Sequence, residues 1–156
     1  AYEMNHFKDV YQKAVISNAK AFANALKEQG LDVAGDPDIS FTQTHQVILN
    51  VGYGKGAKIA RQLEENNIIV NYQATPVEEG FTASGALRMG VSEMTRFGME
   101  EKDFKILAGL MADLIKKGSA VKDDIIKFRN NFIDMRYCFN EADGQDLVNT
   151  FSDAFK

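Results

Sequence analysis

Arg88 is the residue of this chain whose setting best suits chemistry. It lies in the run 82–90, TASGALRMG, whose centre alternates in an extended conformation. Leu87 and Met89 would then point toward a core, and Arg88 would point away from it. A guanidinium is a planar fork of donors that matches a carboxylate bidentately, and a strand holds it in a fixed place. The alternative is an edge-strand arginine that is solvated or paired with a local glutamate.

The composition is that of an ordinary globular protein, and it argues against several classes of partner. The chain has 156 residues, of which 45% are hydrophobic and 26% are charged, and its formal net charge is -4. The basic residues are not clustered, which argues against a nucleic acid or an anionic membrane as partner. No apolar run approaches the roughly 20 residues of a membrane span, and Cys138 has no second cysteine to pair with. We expect one cytoplasmic domain over residues 1–156.

The spacing of apolar residues predicts an α+β fold. Helices are predicted over 2–29, 57–66, 100–116, 121–139 and 146–155, with a helical turn over 92–98. Strands are predicted over 31–33, 39–41, 46–51 and 68–72, and around Arg88. These elements make a small, mostly antiparallel sheet with helices packed on one face, a long N-terminal helix and extra C-terminal helices. The predicted helices cover one face of this sheet, and the pattern assigns no covering element to the other face.

The residues alone show no constellation for catalysis. His6 and His45 are far apart in the sequence, and Cys138 has the apolar helical context of a structural thiol. The glycines of the turn 52–56 follow a G-x-G-x-G spacing, which differs from that of phosphate-binding loops. His45 is expected to be a strand-start residue with a hydrogen-bond partner. By itself the chain is predicted to be a binding half-site, with no metal site.

Five segments, taken in order, carry a resemblance to a known family. They are 18–21 (NAKA) with 26–33, 42–49 (TQTHQVIL), 69–71 (IVN), 84–90 (SGALRMG) and 95–99 (TRFGM). Their order and spacing closely resemble the C-terminal domain of serine hydroxymethyltransferase. The family's versions are N-A-K-A, T-D-N-H, V-N-K-N, S-G-I-R-x-G-T-P and T-x-R-G-F/M. The resemblance covers about residues 10 to 117 and continues more weakly to about residue 140.

The resemblance implies a pyridoxal-phosphate enzyme of the aspartate-aminotransferase fold type, fold type I. In that fold a small domain such as this one closes over a cofactor held by a larger domain, and the full-length enzyme is a homodimer. Arg88 would grip the α-carboxylate of serine or glycine while one carbon passes to tetrahydrofolate. The family's Schiff-base lysine follows a run of threonines and a histidine in the large domain. This chain has no such run, so it is expected to be an inactive fragment of a longer enzyme.

The departures from the family pattern affect the residues for folate recognition more than those for amino-acid recognition. The family's V-N-K-N is Val70-Asn71-Tyr72-Gln73 here, and the second asparagine of that motif helps to hold the folate pterin. Asn71, Gln73 and Thr75 are therefore the folate-side candidates, with Gln73 an imperfect substitute. The loop 76–81, which also lies by the folate in the family, is shorter here. His45 falls where the family has a histidine near the domain boundary, where it supports structure.

Two further departures lie around Arg88. One extra residue separates Ser84-Gly85 from Arg88, and Gly-Val-Ser-Glu replaces the family's Gly-Thr-Pro-Ala after the arginine. The alternatives to a hydroxymethyltransferase are a folate-independent aldolase or transaldolase acting on β-hydroxy amino acids, and a free-standing non-catalytic binding module.

Overall fold

A four-stranded antiparallel sheet with helices on one face organises the chain. The computed structural model describes residues 2–75 and 83–154. The helices are α1 (Tyr2–Glu28), α2 (Gly56–Glu65), α3 (Ser92–Arg96), α4 (Glu101–Lys117), α5 (Lys122–Arg129) and α6 (Glu141–Ala154), with a 3-10 turn at Pro37–Ile39. The strands are β1 (Asp32–Val33), β2 (Gln46–Asn50), β3 (Asn71–Gln73) and β4 (Ala86–Gly90). The predicted α+β fold class is confirmed.

The strand that carries Arg88 lies inside the sheet. The strand order is β1-β2-β4-β3, and every neighbouring pair is antiparallel. β4 therefore has β2 on one side and β3 on the other, so the edge-strand alternative for Arg88 is wrong. An internal strand is held by two ladders of backbone hydrogen bonds, which fixes its side chains more firmly than an edge does.

Alternate residues of β2 and β4 face the helices. Val47, Leu49, Leu87 and Met89 are all buried, whereas Arg88 is exposed. This is the alternation that the sequence predicts for a strand with one covered face. Full burial of one such apolar side chain contributes roughly 1.5–3 kcal/mol, so the orientation of Arg88 is set by its two neighbours.

Helices α1 and α2 pack on the sheet, and α4 packs against both of them. The rings of Phe22 and Phe104 lie 5.5 Å apart between their centroids, and both are almost fully buried. The N-terminus of α4 has a capping box formed by Glu100 and Asp103, and its C-terminus ends at Gly118 with φ of 70°. The predicted helices over 2–29 and 100–116 are confirmed.

The predicted strand over 68–72 is wrong in its first half, and β3 begins only at Asn71. The cause is the end of α2, where Asn67 has φ of 63° and the Ile68 amide donates to the Leu63 carbonyl at 2.9 Å. The backbone of these residues caps the helix, so it is not available to a sheet. Ile69 is consequently 89% exposed.

The predicted strand over 39–41 is also wrong. Asp36 accepts a 2.9 Å hydrogen bond from the Asp38 amide and starts the 3-10 turn, with proline at its first position. Ser40 and Phe41 then adopt left-handed conformations, with φ of 60° and 67°. Local bonding by Asp36 prevails over the apolar character of the segment.

The predicted helix over 121–139 ends much earlier, at Arg129. The side-chain amide of Asn131 donates to the Lys127 and Phe128 carbonyls, which the helix would otherwise have to satisfy. Beyond it, the Arg136 amide donates to the Arg96 carbonyl at 2.7 Å. The segment after α5 therefore turns back toward α3 and leaves the helical path.

The last helix begins five residues earlier than predicted. Asn140 and Asp143 cap each other, since each side-chain oxygen accepts from the other residue's backbone amide, at 2.9 Å and 3.0 Å. None of the helices in the two described ranges combines the length and the apolar composition needed to cross a bilayer.

Candidate functional site

The sheet face opposite the helices gathers most of the residues that the sequence singles out. We define the open face by Arg88 and its cross-strand partners Ile48 and Asn71, by Ala86 with Asn50 and Gln73, and by Gly90 with Gln46. Directly opposed residues of antiparallel strands project on the same side of a sheet, with their Cβ atoms about 4.5–5.5 Å apart. Arg88 is at the centre of this set.

Arg88 has no side-chain neighbour on its own strand that could block it. The next residues on this face of β4 are Ala86, which is fully buried, and Gly90, which is exposed, and both are small. Within residues 2–75 and 83–154 the guanidinium makes neither a hydrogen bond nor an ion pair. The pairing with a local glutamate that the sequence left open is therefore not found in these ranges. An exposed guanidinium on a rigid strand is suited to bind an anion.

Asn71 and Gln73 of β3 lie on the open face beside Arg88. Asn71 is exposed and opposes Arg88 itself, while Gln73 is half-buried and opposes Ala86. Thr75 follows two residues after the strand ends and is half-buried. The loop 76–81, to which the sequence assigns part of the folate side, lies outside the described residues.

His45 stands at the end of the open face where β2 begins. A Cβ atom added to Gly90 would lie 3.6 Å from Cδ2 of the His45 ring, so the imidazole occupies the space beside Gly90. The His45 carbonyl accepts a 3.1 Å hydrogen bond from the Val91 amide. His45 is thereby bonded to Val91, which follows β4, and its ring lies beside Gly90, two positions beyond Arg88 on the open face.

The glycine-rich turn 52–56 anchors the start of β4. The Gly56 amide donates to the Ser84 carbonyl at 2.7 Å, and a Cβ atom at Gly56 would lie 2.8 Å from that oxygen and 3.1 Å from the Ala86 oxygen. Only glycine permits so close a contact between α2 and this strand. The glycine signal in the sequence thus marks close packing of a helix on the strand that carries Arg88.

A buried polar cluster anchors the other end of β4, and sequence reasoning did not identify it as a site element. Asn18 Nδ2 donates to Thr95 Oγ1 and to the Met99 carbonyl, each at 2.9 Å, and Thr95 Oγ1 donates to the Val91 carbonyl at 2.8 Å. Both side chains are almost fully buried. The signal was present, because Asn18 is a polar residue on the apolar face of the predicted N-terminal helix.

The pKa values of two side chains between α1 and α3, Tyr11 and Arg96, are shifted from their ordinary values. Burial raises the pKa of Tyr11, although the nearby Arg96 acts to lower it; the Tyr11 hydroxyl donates a 2.9 Å hydrogen bond to the Ser92 carbonyl. The hydrogen bond from Arg96 to Glu3 raises the pKa of the guanidinium. Both groups lie around α3 and hold it against α1, away from the open face.

The chemistry available on the open face is that of anion binding. It presents a guanidinium, carboxamides and an imidazole, and none of the four described strands contains a lysine. In the part of the chain that the structure describes, no three histidine, cysteine or acidic side chains are grouped so that they could hold a metal ion. The donors therefore fit a carboxylate ligand, and they do not provide an amine for a Schiff base.

Comparisons with known proteins agree on one family. Residues 2–111 match the family model described as Serine hydroxymethyltransferase. The chain is 43% identical over 140 residues to a serine hydroxymethyltransferase of Pyrobaculum aerophilum, a match that covers 88% of this chain and 32% of the relative. It is 38% identical over 162 residues to the enzyme of Saccharolobus islandicus, covering 100% of this chain and 37% of the relative.

A solved structure gives the same fold. The L-threonine transaldolase of Pseudomonas fluorescens has a TM-score of 0.82 to this chain and 34% sequence identity, over 95% of this chain and 35% of that protein. The chain thus spans about a third of the length of the relatives that it matches.

Proposed function

Because the chain belongs to the serine hydroxymethyltransferase family, we propose that it is the C-terminal domain of a longer enzyme that interconverts serine and glycine. The relatives are about three times as long, which leaves room for a large domain that precedes this one. Pyridoxal phosphate is proposed to be bound by that large domain, as the fold-type I architecture of the family implies. The enzyme is proposed to be a cytoplasmic homodimer, with its dimer contacts mainly in the large domain.

The role of this domain is to bind the α-carboxylate of the amino acid through Arg88. The observation that carries the proposal is the exposed guanidinium at the centre of the open face, on an internal strand and without a partner in the described ranges. Charge-assisted bidentate hydrogen bonds from arginine are well suited to orient a carboxylate. A carboxylate fixed in this way also fixes the Cα at which the reaction takes place.

Pyridoxal phosphate, when bound, supplies an electron sink for bond cleavage at Cα. The open face fits the substrate anion, and the lysine that holds the cofactor is proposed to lie in the large domain, as the resemblance to the family implies. The isolated chain is consequently expected not to turn over. Its residues orient the substrate and leave the chemistry to groups of the other domain.

Asn71, Gln73 and Thr75 are proposed to lie on the folate side, with Gln73 in the place of the family's pterin-binding asparagine. β3 supports this assignment, because it places Gln73 on the same face as Arg88. His45 is proposed to support the domain boundary through its contact with Gly90 and its carbonyl bond to Val91.

A folate-independent aldolase or transaldolase is the second candidate function. It is favoured by the 34% identity to the L-threonine transaldolase over nearly the whole chain and by the altered Gln73. Both candidates use the same carboxylate-binding arginine, so only the dependence on folate separates them. A free-standing binding module is the third, and the coding sequence upstream of Ala1 tests it. An enzyme requires roughly 200–300 further residues there, as large α/β domains do.

The test is a glycine titration of the full-length enzyme with pyridoxal phosphate, followed by visible absorption with and without tetrahydrofolate. A long-wavelength band that grows with folate, and that is lost in Arg88→Ala, is the expected result. Arg61→Ala removes an exposed arginine of α2 and is the matched control, for which no change is expected. Absence of a glycine response in the native enzyme would refute the amino-acid assignment. A response that ignores folate would favour the aldolase or transaldolase.

A further inference from the structure

Asn71 is the polar neighbour of Arg88 across the sheet. The two residues are directly opposed in the β3–β4 ladder, both are exposed, and both project onto the open face. Within residues 2–75 and 83–154 neither side chain makes a hydrogen bond. Two adjacent polar side chains, each without a protein partner in these ranges, therefore face the same space.

The opposite side of Arg88 is apolar. In the β2–β4 ladder its partner is Ile48, which is half-buried and can only pack against the methylene stem of the arginine. A ligand oxygen on that side would lose hydrogen bonds to water without gaining any from the protein. A ligand oxygen on the β3 side would meet the guanidinium and a carboxamide together. The surroundings of Arg88 are thus asymmetric across the strand.

From this asymmetry we propose that Asn71 is a second carboxylate-binding residue and that the substrate carboxylate lies on the β3 side of Arg88. This inference rests on the proposed function, and it assigns Asn71 to the amino acid in place of the folate. The Asn71 side-chain amide can hydrogen-bond to both Arg88 and the substrate carboxylate. Its Oδ1 can accept from the guanidinium and its Nδ2 can donate to the carboxylate. The substrate carboxylate is then bound by one charged group, the guanidinium, and one neutral group, the carboxamide.

The assignment predicts which ligands depend on Asn71. A hydrogen bond to a charged group contributes about 1.5–3 kcal/mol, which corresponds to roughly 10- to 100-fold in a dissociation constant. Asn71→Leu, a substitution of similar size, is therefore expected to weaken glycine binding by about that factor. Glycinamide, which lacks the carboxylate, is expected to bind to Asn71→Leu as it does to the native enzyme. Tetrahydrofolate binding is also expected to be unchanged.

The experiment measures the dissociation constants of glycine, glycinamide and tetrahydrofolate by titration calorimetry of the full-length enzyme with pyridoxal phosphate. Asn5→Leu is the matched control, because it makes the same substitution at an exposed position of α1, outside the open face. Asn71→Thr suits a strand and also lacks the carboxamide. It keeps the test valid if the leucine variant does not fold, and it is expected to lose glycine affinity similarly.

The double variant Arg88→Lys/Asn71→Leu tests whether the two residues act on one carboxylate. If they do, its loss of glycine affinity is expected to differ from the product of the two single losses, because residues that share a ligand group are not independent. An unchanged glycine affinity in both Asn71 variants, with weakened folate binding, would overturn the inference and return Asn71 to the folate side. Unchanged glycine binding in Arg88→Ala would instead refute the proposed role of Arg88 itself.

Discussion

Asn18 Nδ2 donates a 2.9 Å hydrogen bond to Thr95 Oγ1, across 77 positions of sequence, where both side chains are buried. The bond joins the long helix α1 to the short helix α3, directly after the strand that carries Arg88. Because Thr95 in turn donates to the Val91 carbonyl, the position of the end of β4 depends on a side chain in the first helix.

Asn18→Ala is expected to destabilise the protein. It leaves the buried Met99 carbonyl without its side-chain donor and removes the bond to Thr95, so we expect a loss of about 1–3 kcal/mol in the free energy of unfolding. Urea unfolding followed by circular dichroism measures it. Gln12→Ala, on an exposed position of the same helix, is the control and should change stability by less than about 0.5 kcal/mol. Equal effects of the two variants would contradict the structural role of Asn18.

Gly56→Ala is expected to shift α2 away from β4. The new Cβ atom would lie 2.8 Å from the Ser84 oxygen, a backbone atom that cannot rotate away, so a cost of about 1–3 kcal/mol is expected. Gly109→Ala is the matched control, since it makes the same substitution in α4, where nothing lies within 4 Å of the new atom. It should stabilise by about 0.5–1 kcal/mol, because alanine favours a helix over glycine. Thermal unfolding of both variants distinguishes the two effects by their sign.

Tyr11→Phe is expected to cost about 1 kcal/mol at neutral pH, because it removes the hydrogen bond to the Ser92 carbonyl. Burial raises the pKa of Tyr11 in the folded state, so the unfolded state loses this proton first as the pH rises. The native protein should therefore lose stability through Tyr11 from about pH 10 upward, where a free tyrosine ionises.

The variant lacks that titration, so the stability difference between the native protein and Tyr11→Phe should become smaller above about pH 10. Urea midpoints measured at neutral and at alkaline pH test this. A difference that stays constant or grows would contradict the raised pKa.

Glu3→Gln is expected to have a small and salt-dependent effect. Glu3 forms a salt bridge with Arg96, but both side chains are partly exposed, Glu3 at 39% and Arg96 at 33%. Such pairs contribute about 0–1 kcal/mol, and screening removes most of it near 1 M salt. Unfolding at low and high salt should show a loss only at low salt. A loss that persists at high salt would indicate a packing role for Glu3.

The sequence predicted the orientation of Arg88 well and its surroundings incompletely. The alternation of Leu87, Arg88 and Met89 is a local property of an extended chain, and the structure confirms that the apolar pair is buried and the arginine exposed. The partners of Arg88 could not be predicted in the same way. Ile48 and Asn71 oppose it because of the strand order and register, and these depend on how the helices cover the sheet.

The errors in the predicted elements have a common physical cause. Ile68 belongs to a β-branched run, yet its amide caps α2, and Asn131 ends α5 inside an apolar pattern that continues beyond it. In both segments a residue hydrogen-bonds to the carbonyls at the end of a helix. Apolar periodicity alone predicts that the same residue continues a strand or a helix. Apolar spacing does not reveal such bonds.

By itself, the sequence determined the fold class, the covered face of the sheet, the exposure of Arg88 and the resemblance to one family, because these follow from alternation, helical spacing and short motifs. The tertiary structure decided that β4 is internal, that Asn71 and Ile48 flank the guanidinium, and that Gly56 and Asn18 anchor the two ends of that strand. These features join residues that are distant in sequence. Only the packing of the whole chain brings such residues to within a hydrogen bond or a close contact of each other.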